Sequence, residues 1–281
     1  MATVIGSPAT SAPAKRPTAR RSLASRMSWW QPVAVFAVLI GIWYTVAWYY
    51  DKVQELSFLV PYPHKVFESL FLDAKRRPDL FEAIGNTTAV MLTGLVIAIV
   101  IGMTWAVIMS QAKWAERSLF PYAVILQCVP ILALVPLIGS LYGYGFPSRV
   151  IVTTMIALFP LVSNTLFGLQ SADRAQRELF KLQGASRWTV LTKLQFPAAL
   201  PLIFVGLRNA AGLSVIGAIV GDQFFQRGAG GLGVLIQLYN SRLQGSDTFA
   251  TIIAASLLGV VVFLVFGLLG RLAIGKWYDF N

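Results

Sequence analysis

The sequence predicts an all-α membrane protein with six transmembrane helices and both termini in the cytoplasm. Three observations predict it. The 281 residues are 56% hydrophobic and only 12% charged, about half the roughly 25% charge of an average soluble domain. The few charges are biased, 23 Lys and Arg against 12 Asp and Glu, and lie between apolar blocks rather than in one basic stripe. The blocks themselves are long enough to cross a bilayer. This balance excludes an ordinary soluble enzyme and a nucleic-acid binder. One cysteine, Cys128, and one histidine, His64, leave no disulfide framework and no usual zinc or haem ligand set within the chain. Cys128 reads as a small buried hydrophobe and His64 as a solvated loop residue.

Taken in order, residues 1–27 are rich in Ser, Ala, Pro and Arg and read as a disordered, basic cytoplasmic tail. Residues 28–280 then hold six windows almost free of charge: Ser28–Tyr50, Ala83–Ala112, Ser118–Ser148, Val150–Ala172, Leu194–Gly221 and Thr248–Gly270. Each supplies about 20 apolar residues, the length of a membrane-crossing helix. None alternates as a lipid-barrel strand would. The first window is too long and too aromatic for a cleaved signal, and Trp29, Trp30, Trp43, Trp48, Tyr49 and Tyr50 crowd its ends as an interfacial belt. In the third, Pro130 and Pro136 lie near Gln127, which predicts one bent helix lining a protein-enclosed cavity or, more plainly, packed within the bundle. Asp51 to Glu82 reads as an external interfacial segment.

Orientation follows from charge. With the N-terminus inside, the cytoplasmic segments hold fourteen basic and four acidic residues, whereas the external ones hold eight of each. Positive charge stays on the cytoplasmic side, so N-in and C-in is the expected topology. Arg208 is the one charge read as lying well inside a span, with Asn164, Gln127 and Asn209 as candidate neighbours. It serves either as a structural or snorkelling cation or as a path residue favouring anionic substrates.

The informative connection is residues 173–197. Leu179 and Leu182 lie three apart among charges, Gly184 follows, and Trp188, Leu191 and Leu194 recur at helical spacing up to Pro197. That predicts two short amphipathic helices joined at a glycine, either lying on the membrane surface or forming a knob for a cytoplasmic partner. The stretch resembles the cytoplasmic loop of binding-protein-dependent ABC importer permeases, whose pattern is Glu-Ala-Ala, three residues, Gly, nine residues, an aliphatic residue, one residue, Leu-Pro. Glu178, Gly184, Leu194 and Pro197 match it; Leu179 and Phe180 replace the two alanines, and Phe196 the Leu. PYPHKVFESL, VPILALVPLIGSLYGYG and GLRNAAGLSVIGAIVGDQF are similar to the nitrate, sulfonate and taurine group. The Glu-Leu-Phe form resembles the branch that imports pyrimidine or flavin cofactor precursors.

The resemblance implies a core importer fold over residues 83–275, with Glu178, Leu179, Leu182, Gly184, Ala185, Ser186, Arg187, Trp188, Leu191 and Pro197 coupling the permease to an ATPase. It implies two ABC ATPase subunits, an extracytoplasmic substrate-binding protein and a permease homodimer in the inner membrane. Gln127, Pro130, Asn164, Arg208 and Asn209 are the candidates for the translocation path. No cofactor is expected on the chain itself: it has no G-x-x-x-x-G-K-[ST], so ATP belongs to the partner subunit. Gly228 to Gly233 fits G-x-G-x-x-G by letter, but between membrane helices it reads as a flexible external turn. The rival reading is a secondary transporter or channel without an ATPase, which needs carboxylates inside the membrane; the six windows hold none between their ends.

Overall fold

The computed structural model describes residues 30–71 and 77–275; the expected N-terminal tail lies outside the described residues. Every regular element among them is helical. The long apolar windows become α1 (Trp30–Lys52), α3 (Arg77–Ser110), α6 (Phe146–Gln170), α9 (Phe196–Phe224) and α11 (Gly245–Ile274). Between them lie α2 (Pro63–Phe71), α4 (Lys113–Cys128), α5 (Ile131–Tyr142), α7 (Arg174–Leu182), α8 (Arg187–Val190) and α10 (Leu232–Ser241). Residues up to Ile42 form a unit separate from the compact unit that begins at Trp43.

The compact unit is built around α6 and α9, which run antiparallel at very close range. Gly221 faces Arg149, Gly217 faces Thr153, Gly206 faces Asn164 and Gly168 faces Ala199, each leaving no more than about 3.0 Å for an added Cβ. Small residues along such a seam let two membrane helices approach until their backbones touch, where apolar burial against lipid supplies little drive. α3 packs beside α6 through Gly94 and Gly102, and α11 runs antiparallel along α9. Their shared core includes Met91, Leu95, Leu161, Leu166, Ala210 and Val215. The outer faces stay apolar. Leu92, Val96 and Val100 on α3 and Leu257, Val261, Leu264 and Leu268 on α11 are all exposed at helical spacing, as a lipid-facing surface requires.

The third window departs from the expected single bent helix. It is two helices, α4 and α5, meeting at 94°. Pro130 is the cause. It has no N–H to continue the ladder, and it holds the preceding Val129 in an extended conformation (φ −65°, ψ 125°). Pro130 and Pro136 therefore sit on α5 alone, at its N-cap and in its interior. The described residues thus carry five helices long and apolar enough to span, and six when this broken pair is one span. Cys128, expected to be buried, is exposed at the end of α4.

Two smaller expectations also change. His64 belongs to the first turn of α2, stacked against Tyr62 (5.4 Å) and Tyr44 (5.9 Å). The fifth window does not end at Gly221, because α9 continues to Phe224 and takes Asp222 into the helix.

Candidate functional site

The connection between α6 and α9 folds as two short helices. Asp173 caps the first, its Oδ1 accepting from the Ala175 amide at 3.0 Å, and Arg177 donates to the C-terminal carbonyls of α6 at Leu169 (3.2 Å) and Gln170 (2.6 Å). At the end of α7 the Ala185 amide donates to the Phe180 carbonyl and the Gly184 amide to that of Lys181. These two bonds reverse the chain in a Schellman motif, which places one residue in the left-handed region. That residue is Gly184, at φ +66°. Ser186 then caps α8 by accepting from the Thr189 amide at 3.2 Å, and a π-helical turn, Leu191–Gln195, leads into α9 with Pro197 in its first turn.

This geometry sorts the sequence-predicted residues. Leu179, Leu182 and Trp188 are 53%, 87% and 71% exposed, an apolar surface that no described element covers. Glu178 pairs with Arg174 at 3.0 Å, with both side chains largely in solvent, so the pair adds little stability. Arg187 and Ser186 are exposed and Ala185 half-buried. Leu191 does not belong with them: it is 6% exposed and packs with Leu169, Ala199 and Ile203. It opens the π turn that leads into α9.

The path candidates also divide. Gln127, Asn164 and Asn209 line one cavity of about 660 Å³, together with Met155, Phe159, Ser163 and Phe263. Pro130 does not line it, although the next residue, Ile131, does. Arg208 is outside the lining as well. Its guanidinium lies over the Phe263 ring at 3.8 Å, in room left by Gly267. It makes no hydrogen bond to Gln127, Asn164 or Asn209.

Sequence reasoning missed a second buried cluster at the opposite end of the bundle. Arg149, the charge that separates the third and fourth windows, lies in the first turns of α6 at 2% exposure, and its Nη1 is 3.2 Å from Oδ1 of the fully buried Asp222. The guanidinium also donates to the carbonyls of Phe225 (2.6 Å), Ala229 (2.7 Å) and Arg227 (3.2 Å). Thr87 on α3 donates to Asp222 Oδ2 at 2.7 Å and accepts from the Leu232 amide at 2.8 Å. Asn86 donates to the Gly230 carbonyl at 2.8 Å. The glycine-rich segment is therefore pinned rather than a free turn. A Cβ on Gly231 would lie 1.9 Å from Asp222 Oδ2. Nothing in charge spacing alone marks Arg149 and Asp222, 73 residues apart, as partners.

A helical membrane bundle with an apolar-walled cavity carrying a few polar groups, and at one end a helix pair that no described element covers, fits a transport component. The chain belongs to the binding-protein-dependent transport system inner membrane component family, whose model matches residues 82–274; it is the permease of such an ABC importer, seated in the inner membrane. It is similar to the formylaminopyrimidine transport permease protein of Halalkalibacterium halodurans, 33% identical over 241 residues, or 83% of this chain and 90% of that protein. It is also similar to the riboflavin transport system permease protein of Chloroflexus aurantiacus, 32% identical over 168 residues, or 60% of this chain and 62% of that protein. A crystal structure of an amino acid ABC transporter with histidines shares the fold, with a TM-score of 0.56 at 19% identity over 74% of this chain and 98% of that one.

Proposed function

We propose that two copies of this chain enclose the path of a small solute delivered by an extracytoplasmic binding protein, and that two ATPase subunits drive it from the cytoplasm. The observation that carries this reading is the uncovered apolar surface of Leu179, Leu182 and Trp188, held on a capped and sharply turned helix pair. Exposed leucines and a tryptophan on short helices suit insertion into a groove on another protein, and Arg187 and Glu178 at the rim set orientation more than strength. The Gln127, Asn164 and Asn209 cavity supplies the path. The solute is of the nitrate, sulfonate and taurine kind or a pyrimidine or flavin cofactor precursor, the latter being what two relatives' names describe.

ATP-dependent uptake by proteoliposomes is the test. Permease, ATPase and binding protein are reconstituted together, and labelled formylaminopyrimidine and riboflavin are followed. Uptake is expected only with ATP and all three proteins. Uptake by the permease alone, driven by an ion gradient, would make the chain a secondary transporter or channel.

The orientation has its own test. In a Cys128→Ser background, Ser186→Cys is expected to resist a membrane-impermeant thiol reagent in intact cells, and Ala229→Cys to react. The reverse pattern overturns N-in and C-in.

A further inference from the structure

We propose that the cavity lined by Gln127, Asn164 and Asn209 is a binding site for an uncharged, planar heteroaromatic solute. Phe263 is its stacking surface, and Arg208 is the positioning residue that holds Phe263. The inference rests on the reading that solute passes through this cavity.

Size comes first. About 660 Å³ falls within the range of small-molecule sites, roughly 300–1,000 Å³. The lining is also of the usual kind, apolar walls with a few convergent polar groups. Those polar groups are carboxamides. Gln127 and Asn209 make no hydrogen bond with any described residue, and Asn164 commits only its Nδ2, to the Pro160 carbonyl at 2.8 Å. Two complete amides and one amide oxygen therefore offer both donors and acceptors and no formal charge. A ring bearing nitrogen acceptors and amino or amide donors matches that set on its edge, and the faces of Phe159 and Phe263 suit its π surface.

Charge then decides between the two solute classes. Among the described residues no cationic or anionic side chain lines the cavity. Arg208 is outside the lining and is stacked on Phe263, one of the lining residues. An anion entering here would lose its water without gaining a paired charge, which is costly in a membrane interior. To gain one it would have to draw Arg208 off the ring. A neutral heterocycle has no such requirement, and it uses the ring that Arg208 holds in place.

The test is ligand binding by the purified full-length permease in nanodiscs, with no binding protein present. Formylaminopyrimidine and riboflavin are the heteroaromatic probes, nitrate and taurine the polar comparators. Saturable binding of at least one heteroaromatic is expected at or below about 10 mM, with no competition from nitrate or taurine. Asn209→Leu and Phe263→Leu should each weaken it by about tenfold. Arg208→Leu should weaken it too, whereas Arg208→Lys restores it, because an ammonium also stacks on Phe263. Monodisperse elution and an unchanged melting temperature establish that each variant is folded. Binding that nitrate displaces, no saturable binding of either heteroaromatic, or binding indifferent to Asn209→Leu and Phe263→Leu overturns the proposal. ATP-dependent uptake of either heteroaromatic by the wild-type complex, alongside any of these results, leaves the importer reading intact and removes only this site.

Discussion

Gly184→Val is expected to abolish capture of the ATPase while the membrane helices remain inserted. Gly184 sits at φ +66° at the reversal between α7 and α8, and a β-branched residue is a genuine outlier in that region. The left-handed conformation costs an ordinary L-residue about 1–2 kcal/mol. No neighbour lies within 4 Å of the position a Cβ would take, so the penalty is one of backbone conformation and not of collision. That distinction gives a control. Asparagine tolerates the left-handed region and has room here, so Gly184→Asn should keep most of the docking that Gly184→Val loses. If about 2 kcal/mol is expressed in docking, the valine variant binds about 30-fold more weakly. Co-purification of the ATPase with tagged permease and ATP-dependent uptake are the measurements. Wild-type values of both in Gly184→Val would return residues 173–197 to being a surface helix pair.

Asp222→Ala should strongly destabilise the permease. The substitution leaves the guanidinium of Arg149, 2% exposed, without its counter-charge. Removing one partner of a buried pair costs about 3–5 kcal/mol, because the surviving charge is stranded. Arg149→Met strands Asp222 and also orphans the carbonyls of Phe225, Arg227 and Ala229. Gly231→Ala should mimic both, since its new methyl would occupy the space of the Asp222 carboxylate. The double variant Arg149→Met/Asp222→Leu strands neither charge and is expected to recover part of the loss. Melting of the detergent-solubilised protein and protease cleavage within residues 225–231 report the outcome. An Asp222→Ala protein with wild-type melting and an intact loop would show that the cluster does not hold this end together.

Hydrophobic windows were legible in the sequence because lipid imposes them residue by residue. The long spans other than the third, the helix pair and its central glycine follow from composition and local spacing. What stayed hidden depends on partners distant in the chain. Arg149 and Asp222 look like loop charges at the ends of windows until the α6–α9 register places them together. Leu191 fits the exposed stripe at α spacing and is buried only because Leu169 of α6 and Ala199 and Ile203 of α9 pack against it. Gln127, Asn164 and Asn209 were readable as polar residues in apolar blocks, and their meeting in one cavity was not. Arg208 was recognisable as an expensive charge, yet its partner is a ring and not one of the nearby amides.

The glycine seam between α6 and α9 has a mechanical consequence. α9 has 29 residues, a rod of about 43 Å at 1.5 Å per residue. In the proposed importer, a tilt of about 10° imposed at the α7–α8 end would swing its far tip by about 7 Å. With no slack along the seam α6 would swing with it, and so would α3, which meets α6 as closely at Gly94 and bonds through Thr87 to the Arg149–Asp222 clamp and its glycine-rich cap. Opening the outer mouth of the proposed importer would slide these three helices together against the remaining ones. The surfaces that must give are those facing α4, α5 and α11, where Phe263 and the cavity lie.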